Sequence, residues 1–482
     1  MNALAPFAPI LVLSVGSLGY LLGGRWLDAI KASALFAVLL IAGAIWCASG
    51  LVDSPAAAPY GIAVNAGSKL LALVACVAGL VSIVATSGSL EREKISTVSE
   101  YYYLMVTSLC GALIMIFAAD FLTLFIGVEV ASLALYCLCA SRVNESRSSE
   151  AAMKYFLLGC FSSGFLLYGI ALWYGATGSL AFASANASGS SASIIALSFL
   201  MVLVGITFKI GLAPFHFWVP DVYQGAPTSV TTFMSCIVKV AAVATLIRVC
   251  VTTFGFTELW AVGPLWLISI LAMTMGNLSA LRQSSVKRML AYSSVAQAGY
   301  MLIGIVVAGA SAESLGATIY YLISYCAMTI GAFATLSALG PDVDDIRELR
   351  GLGKRSPFLA TCMTLFFLAL AGLPPGLAGL MGKVYLFSSA LSAEFYGLAI
   401  IAALNSALAC AYYFRVPVAI FFQEEGAGTG EVVAKQPSEI KVAPEAGLAI
   451  ALCAAAVVLF GLFPEPLLKA VRAAAIGMGN VR

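Results

Sequence analysis

Charge is scarce along this chain: of 482 residues only 10% are charged, and histidine occurs once, at position 216. So few charges cannot coat a water-facing surface, which excludes a soluble domain folded around an ordinary core. Metal-ligand spacing is missing as well. The twelve cysteines lie singly in apolar stretches, and the nearest pair, Cys137 and Cys139, has no second pair to complete a site. Neither zinc, nor an iron–sulfur cluster, nor a disulfide framework is expected. In "RGLGKRS" Glu348 stands where a phosphate-binding loop needs its first glycine, and no dinucleotide fingerprint occurs, so no cofactor is expected in this chain. A net charge of +2, without a basic run interleaved with aromatics, offers nothing for nucleic acid.

What is present is hydrophobicity, 61% of residues with a mean hydropathy of +1.00. Apolar runs of about 20 residues, long enough to cross the hydrocarbon layer, recur fourteen times, centred near 14, 40, 76, 110, 131, 164, 205, 239, 270, 298, 325, 372, 408 and 453. The first, Ala5 to Gly24, has no Lys or Arg before it and no small-residue cleavage site, and reads as a retained span. Lys and Arg concentrate in cytoplasmic loops. One alternate set of loops holds sixteen of them, from Arg25 and Lys31 to Arg415, Lys435 and Lys441; the other holds five, Lys69, Arg248, Lys469, Arg472 and Arg482. Both termini are therefore expected outside, and the "PDVYQGAP" loop on the cytoplasmic side.

A charge at mid-bilayer costs about 2.5–3.5 kcal/mol, so those inside spans ask for a reason. Four are lysines, Lys154, Lys209, Lys239 and Lys383, and one is a carboxylate, Glu129. Lys154 is near enough to a loop to snorkel; the other four lie deeper, as a proton path requires. Two of the lysines adjoin Gly/Pro breaks: Lys209 precedes Pro214, and Lys383 follows "LAGLPPGLAGLMG" with Pro374 and Pro375. One proline could merely kink a helix for packing, but two broken spans beside lysines suggest a transporter built from repeats. His216, beyond the first break, could pass protons or cap a freed carbonyl. Gln297 could hold water or join helices.

The segments "FKIGLAPFHFWVPDVYQGAP", "NLSALRQSSVKRMLAYSSVAQAGYMLIG", "YYLISYCAMTIGAF", "DDIRELRGLGKRSPFLA" and "LALAGLPPGLAGLMGKVYLFSSAL" together resemble the N-type antiporter-like membrane subunits of bacterial NADH:quinone oxidoreductase, respiratory complex I. The resemblance covers spans 4 to 13. It implies an all-α polytopic membrane protein with about 14 transmembrane helices, two inverted five-helix repeats, and discontinuous helices 7 and 12. The divisions would be residues 1–99 with spans 1–3, 100–252 and 253–423 with the two repeats, and 424–482 with a polar loop and a closing helix. By resemblance Glu129 is the carboxylate that pairs with Lys209, Lys239 is the central lysine of span 8, and Lys383 lies near the exit. Lys154 and His216 match further family positions, and Gln297 stands where many members carry histidine. The family further implies proton translocation in an inner membrane, coupled to quinone reduction. FMN, iron–sulfur clusters and quinone would belong to partner subunits, and the partners would include another antiporter-like subunit and small membrane subunits. A cation/proton antiporter or membrane hydrogenase subunit is the alternative within the superfamily, and a structural scaffold the alternative outside it.

Overall fold

Inside lipid every backbone N–H and C=O must find its partner within the protein, so apolar runs of span length fold as helices. The computed structural model describes residues 6–23, 39–46, 61–90, 92, 93, 95, 98–183, 191–254, 259–310, 313–341, 343–423 and 442–479. Among these residues the regular structure is helical, with isolated β-bridges and no named strand. In order, the described helices of eight residues or more are α1 (Ala8–Gly23), α2 (Ala66–Thr86), α3 (Val98–Phe117), α4 (Phe121–Cys139), α5 (Ser146–Thr177), α6 (Ala192–Ile210), α7 (Trp218–Gly225), α8 (Thr228–Val249) and α9 (Leu259–Leu281). They continue with α10 (Val286–Val306), α11 (Glu313–Leu339), α12 (Pro357–Ala371), α13 (Leu377–Ser392), α14 (Tyr396–Tyr413), α15 (Arg415–Phe422), α16 (Pro444–Leu462) and α17 (Pro464–Gly479).

Among the described residues, eleven helical stretches are long and apolar enough to cross a membrane, and α1, α12 and α13 are shorter apolar helices. The span expected near residue 40 is described only over 39–46. The centre expected near 372 falls on the gap between α12 and α13. The single closing helix expected after the polar loop becomes two, because Phe463 and Pro464 interrupt it; α17 buries Leu468, Val471, Ala475 and Met478 against α2 and α11. Most of the polar loop itself, residues 424–441, lies outside the described residues, as do Arg25, Lys31, Lys94, Lys435, Lys441 and Arg482.

The bundle is layered by burial. Every residue of α8 is buried, and α10 and α11 are nearly as enclosed. By contrast α5 leaves Met153, Phe156, Leu157 and Phe161 exposed, and α16 leaves Leu448, Leu452 and Leu459, apolar surface that suits a lipid solvent. The basic loops gather at one end. Arg92 Nη1 reaches the Ala338 carbonyl (3.2 Å), and Arg415 Nη1 the carbonyls of Leu281 (3.1 Å) and Gln283 (2.9 Å).

Both expected breaks are present, but glycine rather than proline ends each half-helix. α6 stops at Gly211 (φ 81°), whose N–H bonds to Thr207 and Phe208 while Leu212 N–H returns to Thr207. α12 stops at Gly372 (φ 83°) with the same pattern, Gly372 to Leu368 and Ala369 and Leu373 to Leu368. This left-handed cap needs a residue without a Cβ, and the prolines three residues on, Pro214 and Pro375, then prevent the helix from resuming.

Gly372→Ala places a Cβ in the left-handed region and within 3.1 Å of Lys383 Cδ, so it is expected to destabilise the protein by about 1–2 kcal/mol. Gly175→Ala, inside α5 with open space around it, is expected to be neutral or to stabilise by about 0.5–1 kcal/mol. Thermal denaturation of the purified assembly compares the two.

Candidate functional site

Lys209 occupies the last turn of α6, where the unpaired carbonyls of a helix end favour a cation. It is 4% exposed, and its Nζ donates to the Tyr136 hydroxyl of α4 (3.3 Å). The rings of Phe208, Tyr136 and Tyr155 lie 5.5–5.8 Å from the ammonium, close enough for cation–π attraction. Across the break, the Trp218 indole of α7 donates to the Phe208 carbonyl (3.0 Å), a second donor to an acceptor that the Gly211 N–H of the cap also reaches. Glu129 lies two turns before Tyr136 on the same face of α4, yet its carboxylate accepts from Ser163 of α5 (2.5 Å). The direct Glu129–Lys209 ion pair is therefore not formed in this arrangement, and Tyr136 is the group that touches the ammonium.

Lys239 lies midway along α8 and is 3% exposed. Its Nζ donates to the Ser294 carbonyl (2.6 Å), to the Ser294 hydroxyl and to the Tyr325 hydroxyl (3.4 Å), with the Tyr325 ring 4.9 Å away. Lys383 of α13, 2% exposed, reaches back over the second break. Its Nζ donates to the last carbonyls of α12, Leu370 (3.1 Å) and Ala371 (2.8 Å), and to Ser406 of α14 (3.2 Å), beneath the Tyr300 ring at 5.1 Å. None of these three buried lysines makes an ion pair with a carboxylate among the described residues. Hydroxyls, carbonyl dipoles and aromatic faces hold them instead.

Helix α10 joins two of these sites. Ser294 serves Lys239, while Ser293 shares a short hydrogen bond with Tyr413 of α14. One turn on, the Gln297 amide donates to the Leu370 carbonyl (2.9 Å) and the Tyr413 hydroxyl (2.9 Å) and accepts from Tyr321 of α11. Gln297 and Lys383 thus converge on one carbonyl, at the end of the broken helix. Of the two roles open to Gln297 in the sequence, the structure displays the joining of helices.

The remaining expected residues lie elsewhere. His216, in the first break, is 4% exposed, stacked on Phe217 at 5.1 Å and edge-on to Tyr292 at 6.3 Å; its Nδ1 has no hydrogen-bond partner among the described residues. Lys154 is 43% exposed and paired with Glu150 (2.7 Å) and Asp221 (2.8 Å). Asp221 also pairs with Arg288 (2.7 Å), beside an open cavity of about 210 Å³. Lys154 therefore belongs to an ion cluster tying α5 and α10 to the short half-helix α7, and not to the enclosed axis.

Sequence reasoning placed in loops several charges that the structure buries, Glu93 and Arg248 among them. Glu93, 2% exposed, accepts from the Ser229 N–H (3.3 Å) and hydroxyl at the start of α8. Arg248, counted among outer-loop residues, is 6% exposed and donates to the carbonyls of Ala63 (3.2 Å) and Ala118 (2.6 Å). The tyrosines that line the axis were equally silent. A Tyr in an apolar run looks like any aromatic, whereas the cluster of Ser293, Ser294 and Gln297 on one turn of α10 was a readable polar signal.

Broken helices enclosing buried lysines define an antiporter-like membrane subunit, and residues 118–409 match the family described as NADH:quinone oxidoreductase/Mrp antiporter, TM. The chain belongs to that family. It is 41% identical to NADH-quinone oxidoreductase subunit N 1 of Sorangium cellulosum over 81% of each chain, and 40% identical to subunit N of Trichlorobacter lovleyi over 83% of this chain and 81% of that one. Its fold matches a chain of respiratory complex I from Thermus thermophilus with bound aureothin at a TM-score of 0.82, with 33% identity over 96% of this chain and 99% of that one. A chain of the Mrp complex from Dietzia shares the fold at a TM-score of 0.81 and 21% identity, over 98% of both chains.

Gln297→Leu removes two donors and an acceptor from a buried network. The expected loss is about 1–3 kcal/mol for the polar groups left unsatisfied, read as a lower thermal midpoint of the assembly. Gln297→His, which keeps a buried donor, is expected to lose less.

Proposed function

We propose that the chain is the N-type antiporter-like subunit of an NADH:quinone oxidoreductase and moves protons outward across a bacterial cytoplasmic membrane, driven by quinone reduction in other subunits. The observation that carries this reading is the row of lysines at Lys209, Lys239 and Lys383, buried in one bundle and held by dipoles instead of counter-charges. Such a group can give up its proton without stranding a buried carboxylate, so occupancy can respond to small shifts of the surrounding dipoles.

In this reading Lys239 is the central exchange site. Ser294, Tyr325 and the Gln297 network link it toward Lys383, the last group before release. Lys209 and Glu129 form a gate. In one arrangement Tyr136 holds the ammonium and Ser163 the carboxylate; in the other the two charges meet, which favours the protonated lysine. His216 adjoins that gate as a relay, and Lys154 with Asp221 and Arg288 guards the approach to it. The matched glycine caps at 211 and 372 support two inverted repeats, α3 to α8 and α9 to α15, within a fourteen-span topology. The crowding of Arg and Lys at one end supports a cytoplasmic position for those loops and periplasmic termini. FMN, iron–sulfur clusters and the quinone site belong to partner subunits of the complex, and neighbouring antiporter-like and small membrane subunits cover the exposed apolar flanks.

Lys239→Ala is expected to lower quinone reduction and proton pumping together in reconstituted vesicles, by roughly 10²-fold, the scale of losing one proton-transfer group. Unchanged pumping in an assembled complex would leave only a structural scaffold. Lys383→Arg should fail to pump while still assembling, since guanidinium keeps its proton. Glu129→Gln should impair pumping, with Glu129→Asp retaining part. Mass spectrometry of co-purifying subunits separates this reading from a cation/proton antiporter, which would bring no flavin or iron–sulfur subunits.

A further inference from the structure

The cysteines stand apart along the sequence, yet folding brings two of them face to face in the middle of the bundle. Cys236 of α8 and Cys326 of α11 are both buried, and both are free thiols. The Cys236 thiol donates to the Cys326 carbonyl (3.8 Å), and the two thiols are near enough to share a hydrogen bond. The Ser235 hydroxyl lies 3.6 Å from the Cys236 sulfur. A single buried cysteine is a small apolar packing group. Two sulfurs in contact from different helices are a dithiol.

This pair adjoins the central lysine. Cys236 lies one turn before Lys239 on α8, and Cys326 follows Tyr325, whose hydroxyl accepts from Lys239 (3.4 Å). Both thiols are within the electrostatic reach of that lysine. A lysine amine beside a thiol favours the thiolate, the nucleophilic form of cysteine. The hydroxyls of Ser235, Ser294 and Tyr325 make this the polar part of an apolar interior. A neutral, water-like oxidant can follow any route that water takes to Lys239.

We propose that Cys236 and Cys326 form a redox-sensitive dithiol, which a hydroperoxide closes to a disulfide joining α8 to α11 beside Lys239. The Cys326 thiol gives its proton to the unprotonated Lys239 amine, and the thiolate attacks one peroxide oxygen, breaking the O–O bond and releasing hydroxide. The Cys236 sulfur then displaces a second hydroxide from the sulfenic acid so formed. Each hydroxide leaves as water, one with the proton held by Lys239 and one with the proton of Cys236. Two thiols thus lose two electrons, and one hydrogen peroxide becomes two waters. The link ties the helix that carries Lys239 to the helix that carries Tyr325, and so removes the alternative packing that exchange at the lysine needs. Arrest of pumping rests on the role proposed above for Lys239; the link itself does not.

The test exposes the assembled complex in proteoliposomes to hydrogen peroxide, alkylates the remaining thiols in denaturant, and maps non-reduced peptides by mass spectrometry. A peptide joined through Cys236 and Cys326, lighter by two hydrogen atoms than its halves, is expected, together with a loss of proton pumping that dithiothreitol restores. Cys236→Ala and Cys326→Ala, each referred to its own pumping before exposure, are expected to keep pumping through the same treatment, which separates the link from damage elsewhere in the complex. If neither variant assembles, the joined peptide and the recovery with dithiothreitol decide in the parent. Alkylation of both thiols after exposure would overturn the proposal, as would a link from either one to Cys453. A link that leaves pumping intact, in a complex whose pumping needs Lys239, would overturn it too. Pumping that survives Lys239→Ala would instead remove the role of the lysine, and the dithiol would then be judged on the joined peptide.

Discussion

Breaking a helix inside a bilayer frees carbonyl groups that lipid cannot satisfy, and two of the three buried lysines of this protein stand at such breaks. At the second break the constraint is met by an ammonium: Lys383 spans the gap and donates to Leu370 and Ala371. At the first break Trp218 takes one carbonyl, and Lys209 stands in the turn just before the cap. A cation at the carbonyl end of a half-helix is stabilised by the helix dipole, which lets a lysine sit buried without a carboxylate beside it. At the second break the gap and the lysine thus explain each other: without the freed carbonyls Lys383 would lose two of its partners, and without its ammonium the Ala371 carbonyl would lose its donor.

From that pairing follows the part played by α10. The Leu370 carbonyl receives both the Lys383 ammonium and the Gln297 amide, so the end of α12 keeps a donor whichever way Lys383 moves. The same helix turn offers Ser294 to Lys239. In the proposed function, this helix turn is what would carry a change of charge at the centre to the break. No redox centre is needed for such coupling, only two arrangements of packed, hydrogen-bonded groups.

Much of this was legible from residues alone, and the part that was not has physical causes. The spans were visible because an apolar run of fixed length is a local property. Glu129, Lys209, Lys239 and Lys383 were visible because a charge in such a run is costly and rare. The breaks were seen at Pro214 and Pro375, although the structure ends each half-helix at the glycine three residues earlier, since proline is the louder signal and glycine caps the helix. Partners were a different matter. Tyr136, Tyr325 and Tyr413 act through hydroxyls whose direction only the packing sets, and Glu93 and Arg248 are buried by the loops that fold over opposite ends of α8. Lys154 reads as near enough to a loop to snorkel, and its helix does place it at the surface, paired with Glu150 and Asp221; only those partners were out of reach of the sequence.

The central claim is that the lysines and the α10 groups form one continuous polar route through an otherwise apolar bundle. A high-resolution density map of the assembled complex in a lipid disc, with ordered waters resolved, tests it most directly. The account predicts waters and hydroxyls linking Lys239, Ser294, Gln297 and Lys383, with no step longer than roughly 3.5 Å, the reach of one hydrogen bond. A dry partition of packed apolar side chains between Lys239 and Lys383, present in both resting and turning-over complex, would contradict it.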